Sequence, residues 1–131
     1  MQFAEPSAFQ SPSTSPSSDL DDHERLARLR LARSRNVGPR TFTHLVRRFG
    51  SAARALEALP ELAGRGGSVD YRPCSEDAAA RECEAAARAG ARLCVLGDPS
   101  YPPLLGAIDT PPPALWWRGR AELLARPGVA L

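Results

Sequence analysis

The 131-residue chain carries 17 basic residues, all arginine, against 15 acids, a formal net charge of +2. No apolar run approaches the ~20 residues that span a bilayer, so no part of it is expected to cross a membrane. The N-terminus lacks a basic start followed by an apolar core, so no secretory signal is expected and the protein is read as cytoplasmic.

Residues 1–21 come first. Ser-Pro-Ser-Thr-Ser-Pro-Ser-Ser at 11–18 is low in apolar content and broken by proline. Such a stretch buries too little surface to offset its ordering entropy, and a disordered tail is expected. Asp19, Asp21, Asp22 and Glu24 then suit the positive end of a helix. That helix is expected from about Asp22 to Ser34, with Leu26, Leu29 and Ala32 along one stripe. Asn36-Val37-Gly38-Pro39 breaks it, since glycine permits positive φ and proline favours the first position of a new helix. The second helix, Pro39 to Phe49, places Phe42, Leu45, Val46 and Phe49 at i, i+3, i+4 and i+7. Gly50 ends it, Ser51 caps a third helix through Leu59, and Pro60 starts a short fourth turn. Residues 22–64 thus read as a helical bundle of the helix-hairpin-helix or SAM-like kind.

Charge concentrates in this part of the chain. Residues 25–72 hold eleven arginines against three acids, a net of +8. On the second helix Arg40, His44, Arg47 and, beside them, Arg48 lie opposite the apolar stripe. Arg33 and Arg35 come from the end of the first helix. In the DNA-binding form of the hairpin, turn amides and the second helix's N-terminus hold a backbone phosphate, which makes Gly38 part of the same candidate site. The usual turn is G-x-G; here Asn36 stands at the first glycine, a residue that tolerates left-handed φ. Arg35, Gly38, Arg40, His44, Arg47 and Arg48 are therefore the candidate contacts for phosphate, against the plainer reading of a solvated helix face.

Residues 65–74 form the expected linker, with Gly64 to Ser68 as a flexible break and Val69 to Pro73 extended. No G-K-[ST] follows the glycines, so a nucleotide loop is excluded. Ser75 caps the next helix, and Gly90 ends it and leads into a strand from Arg92 to Leu96. A Tyr-Pro-Pro turn, the short apolar segment Leu104 to Ile108 and Pro111-Pro112-Pro113 follow. The prolines aim a second strand at 114–118, and Glu122 to Ala125 form one helical turn. Residues 75–131 read as the first elements of an α/β domain, making the whole chain α+β.

One stretch is more specific. Asp98, Tyr101-Pro102 and Leu105, then Pro111-Pro112, Leu115 and Gly119, resemble D-x-x-Y-P-x-x-L, a spacer, P-P-x-x-L and a glycine. That pattern is similar to the start of the conserved domain of the DNA-processing protein A (DprA/Smf) family. Pro127 to Leu131 resembles the family's approach to its first nucleotide-fold strand. The resemblance spans roughly 26–131 and implies an incomplete Rossmann-like domain over 75–131. It also implies single-stranded DNA as a partner, held mainly by a downstream domain, and loading of a RecA-type recombinase during natural transformation. A homodimer is a further expectation of it. The family is a binding and loading factor, not an enzyme.

The residues themselves carry no recognisable chemistry. No Ser/His/Asp set, G-x-S-x-G, H-E-x-x-H or Walker motif occurs. Cys74, Cys83 and Cys94 form no C-x-x-C pair and have no histidine at ligand spacing, so reduced thiols, no metal and no cofactor are expected. Trp116 and Trp117 suit either base stacking or core packing, on opposite faces of their strand. The alternative to a DNA-processing protein is a stand-alone SAM-like protein-interaction module.

Overall fold

The structure, a computed structural model, describes residues 20–64 and 69–129. Most of the expected tail (1–19), the expected glycine break (65–68) and Ala130–Leu131 lie outside them. The elements run α1 (Asp22–Ala32), α2 (Pro39–Phe49), α3 (Ala52–Gly64), α4 (Glu76–Arg88), β1 (Arg92–Val95), α5 (Pro103–Gly106) and β2 (Ala114–Trp117). A 3-10 turn, Ala121–Ala125, follows.

Helix starts follow the capping chemistry. Asp21 accepts from the amide of Glu24 at 2.7 Å, and Ser75 from that of Ala78 at 3.0 Å. Such caps satisfy amides that a helix leaves without partners. Gly50 closes α2 at φ +88°, its amide bonded to the Val46 carbonyl. Asn36 adopts φ +66°, the one non-glycine residue with positive φ among the described residues. It does so at the turn between α1 and α2, as its short amide side chain allows.

Several boundaries differ from expectation, and β1 and β2 each stop one residue short of their expected ends, at Val95 and Trp117. Helix α1 ends at Ala32 rather than Ser34, because the Ser34 hydroxyl takes the Arg30 carbonyl at 2.7 Å and the Arg35 amide turns out to Arg72. Helix α3 continues through Pro60 to Gly64 instead of breaking there. Proline removes one ladder bond, but Leu56 and Leu59 are buried and Leu62 packs on the same core, so the apolar stripe carries the helix across it. The Tyr-Pro-Pro segment contains a short helix, α5, with Pro103 at its first position, where a missing N–H costs nothing.

The core lies among α1, α2 and α3: Ala27, Leu31, Val37, Phe42, Leu45, Ala52, Ala55, Leu56 and Leu59. Helix α4 packs on α1 and on β1. The two strands pair antiparallel, with Leu93 opposite Trp116 and Cys94 opposite Leu115. Each strand has four residues, about the shortest that form a ladder. The described residues thus make a four-helix N-terminal unit with a small antiparallel sheet docked on it.

Candidate nucleic-acid interface

The arginines of the basic segment divide into two groups. Those on and just after α1 are engaged. Arg25 pairs with Asp98 at 2.6 Å, and the Asp98 side chain is 1% exposed. Arg28 bonds Glu24 at 3.0 Å and donates to the Leu96 carbonyl. Arg30 donates to the Cys74 carbonyl at 2.8 Å. Arg33 makes a two-pronged contact with Glu82, whose carboxylate also accepts from the Trp116 indole N–H at 2.7 Å. Arg35, exposed, lies 3.8 Å from Asp70, which also pairs with Arg72 at 3.2 Å.

Glu24 does double service. Besides Arg28 it accepts from the amides of Ala52 and Ala53 at 2.7 and 3.2 Å. A carboxylate from α1 thereby caps the positive end of α3, where negative charge is favoured. Arg25, Arg28, Arg30 and Arg33 thus tie α1 and its following turn to Asp98, Leu96, Cys74 and Glu82.

Helix α2 contrasts. Arg40, His44 and Arg47 are exposed and, among the described residues, make no ion pair or side-chain hydrogen bond. They share one wall of a cleft of about 540 Å³ with Thr43. The facing wall is Gly106, Ile108, Asp109, Thr110 and Pro111. At one end Gly38 and Thr41 border an adjoining hollow with Arg40 and Thr110. The N-terminus of α2 has no side-chain cap, and a Cβ on Gly38 would meet nothing within 4 Å. The turn therefore leaves its backbone open to approach.

The sequence-predicted residues are thus only partly gathered. Arg40, His44 and Arg47 come together, with Gly38 at the margin. Arg35 sits apart with Asp70, and Arg48 stacks on Phe49 at 5.0 Å on another side of α2.

The proline-rich motif is a folded unit. The Tyr101 hydroxyl donates to the Pro112 carbonyl at 2.8 Å, and the Leu96 amide to the Pro113 carbonyl at 2.9 Å. Prolines have no N–H, but their carbonyls here accept the bonds that tie both halves of the motif. Pro102 precedes α5, and Leu105 is half-buried. Pro111 lines the cleft, Leu115 pairs with Cys94, and Gly119 takes φ +114°. Asp98, the first residue of the motif, is the buried partner of Arg25. That pair leaves Asp98 Oδ2 and Arg25 Nε buried without partners. No motif marked Arg25, Arg28 or Glu24 as residues that position the cleft's walls.

The tryptophans diverge as strand geometry requires. Trp116 turns to Glu82 on α4, and Trp117 lies under the Arg92 guanidinium at 5.7 Å. The Arg33 hydrogen bond holds the Glu82 carboxyl below its ordinary value of 4.5, helped by Trp116 and the Arg33 charge and opposed by burial. Burial pushes the thiols of Cys83 and Cys94 up, which leaves them poor nucleophiles.

Compared with known families, residues 22–85 match the model described as a DprA-like N-terminal HHH domain. The chain carries a DprA-family N-terminal domain. The match starts at the first residue of α1 and takes in the α1–α2 turn, the basic face of α2 and most of α4. No curated protein matches the chain. No helix among the described residues of this DprA-like chain is long and apolar enough to cross a membrane.

Proposed function

We propose that this DprA-like protein is a cytoplasmic DNA-processing factor that binds single-stranded DNA and helps load a RecA-type recombinase during natural transformation. It is a binding protein, not an enzyme, and works as a homodimer. In this reading β1, α5 and β2 open a Rossmann-like domain. Their antiparallel pairing fits the antiparallel edge strand that many such sheets carry.

One observation supports a DNA contact within the N-terminal unit. The arginines that could neutralise phosphate without breaking the fold are those of α2, since those of α1 already have partners. Cations left exposed and unpaired on one helix face make a site for a polyanion. Fluorescence anisotropy of a labelled single strand tests this with Arg40→Glu/Arg47→Glu. Loss of two phosphate contacts should lower affinity by about tenfold or more and flatten the log–log salt slope by about 1.4. Unchanged affinity and slope in that variant would remove α2 from the DNA reading and favour a protein-interaction bundle.

A further inference from the structure

Resting on that reading, we propose that the Ile108–Pro111 segment is the second wall of a one-strand clamp. The cleft between it and α2 takes the phosphodiester backbone of a single nucleic-acid strand, and Asp109 limits how tightly it holds.

The spacing of the α2 row matches such a ligand. Arg40, His44 and Arg47 follow at i, i+4 and i+7, so at 1.5 Å per residue they span roughly 10 Å. Charges recur about every 3.4 Å along one stacked strand and farther apart in a stretched one, so the row meets about two to four phosphates. Thr43 and Thr110 offer a hydroxyl donor from each wall. Size argues for one strand. Even a 10 Å length of duplex fills roughly 2,000 Å³, judged from the depths of its two grooves. The cleft holds about 540 Å³. No Phe, Tyr or Trp is among its lining residues, so the only ring there is that of His44, stacking is a minor contribution, and binding should depend little on sequence.

The second wall is held in place. Its flanks are fixed by the Tyr101–Pro112 and Leu96–Pro113 hydrogen bonds, and Leu96 is tied to α1 through Arg28. Cleft width is therefore a property of the fold. Asp109 is exposed on this wall and, among the described residues, makes no ion pair with the facing Arg40 and Arg47. A carboxylate set into an anion site opposes phosphate and keeps binding reversible.

The test uses the full chain, a labelled (dT)12 strand, a duplex of the same length and polyglutamate as competitor. The clamp predicts single-strand binding about tenfold tighter than duplex, with a salt slope of about −1.4 from the two arginines of the cleft. Asp109→Asn should tighten it about two- to fivefold. A photoreactive residue replacing the half-exposed Ile108 should crosslink to the strand. Arg81→Glu on α4, away from the cleft, should change affinity less than twofold. If wild type binds and Arg40→Glu/Arg47→Glu does not, while Asp109→Asn has no effect or position 108 fails to crosslink, the strand lies on an open α2 face. The clamp then falls and the functional reading stands. Displacement by polyglutamate as effective as by unlabelled strand overturns it in favour of an acidic protein segment. If wild type binds no strand, clamp and α2 reading fall together.

Discussion

Helices α1 and α2 are the same length and both rich in arginine, yet they use that residue in opposite ways. Those of α1 and its following turn reach across the molecule, to Cys74, Glu82, Leu96 and Asp98. Among the described residues, those of α2 make no ion pair or side-chain hydrogen bond, and Arg48 lies over the neighbouring Phe49 ring. The planar guanidinium serves both ends, because its forked donors fit carboxylates and carbonyls inside a protein as well as phosphates outside it. Net charge over a segment therefore overstates what is available to a partner. A sum of +8 over residues 25–72 includes six arginines already paired or hydrogen-bonded within the fold: Arg25, Arg28, Arg30, Arg33, Arg35 and Arg72.

This contrast predicts a graded series of effects. The largest should come from Arg25→Ala, which leaves Asp98 as an uncompensated buried charge. A loss of about 3–5 kcal/mol is expected in urea unfolding, and a loss below 1 kcal/mol would mean that Asp98 finds water or another donor. Next is Gly97→Ala. Gly97 sits at φ +100°, and a Cβ there would stand 2.5 Å from Arg28 Nη1, an atom pinned by the Leu96 carbonyl. The cost should be about 1–3 kcal/mol, with the added diagnostic that Arg28→Ala removes part of it in a double-mutant cycle.

Smaller again is the Arg33–Glu82–Trp116 link, which is partly exposed. Glu82→Gln should cost about 1 kcal/mol. Because the folded state lowers the Glu82 pKa, its contribution is present above pH 4.5 and is lost as pH falls through the lower folded value. Tryptophan fluorescence should report that acid step in wild type and lack it in Glu82→Gln. The smallest stability change, within about 0.5 kcal/mol, belongs to Arg40→Glu/Arg47→Glu, although that variant should be the most damaged in strand binding. A large loss of stability there would show that α2's face is structural after all.

Local chemistry made much of the fold legible. The period of α2, the caps at Asp21, Ser75 and Gly50, and the left-handed turn at Asn36 are all written within a few residues. The strands at Arg92 and Ala114 were legible for the same reason, bounded by glycine and by the proline triplet. Pro60 misled, because its local cost is outweighed by a burial pattern visible only when α3 is packed. The candidate site was legible in its residue types and not in its membership. Arg25 finds Asp98 at a separation of 73 residues and Arg33 finds Glu82 at 49, and no window on the sequence holds both partners. Asp109 and Thr110 escaped notice as part of a cleft for the same reason. Nothing near them in sequence carries positive charge; α2 brings it.

The division of labour among the arginines can be observed side chain by side chain. Nitrogen-15 spectra of the arginine Nε–H groups, recorded while a short single strand is titrated into the full chain, follow each guanidinium separately. The Arg40 and Arg47 resonances should shift with bound strand and sharpen against solvent exchange, while those of Arg28, Arg30 and Arg33 stay where they are. Shifts confined to the α1 arginines, or spread evenly over both helices, would contradict that division.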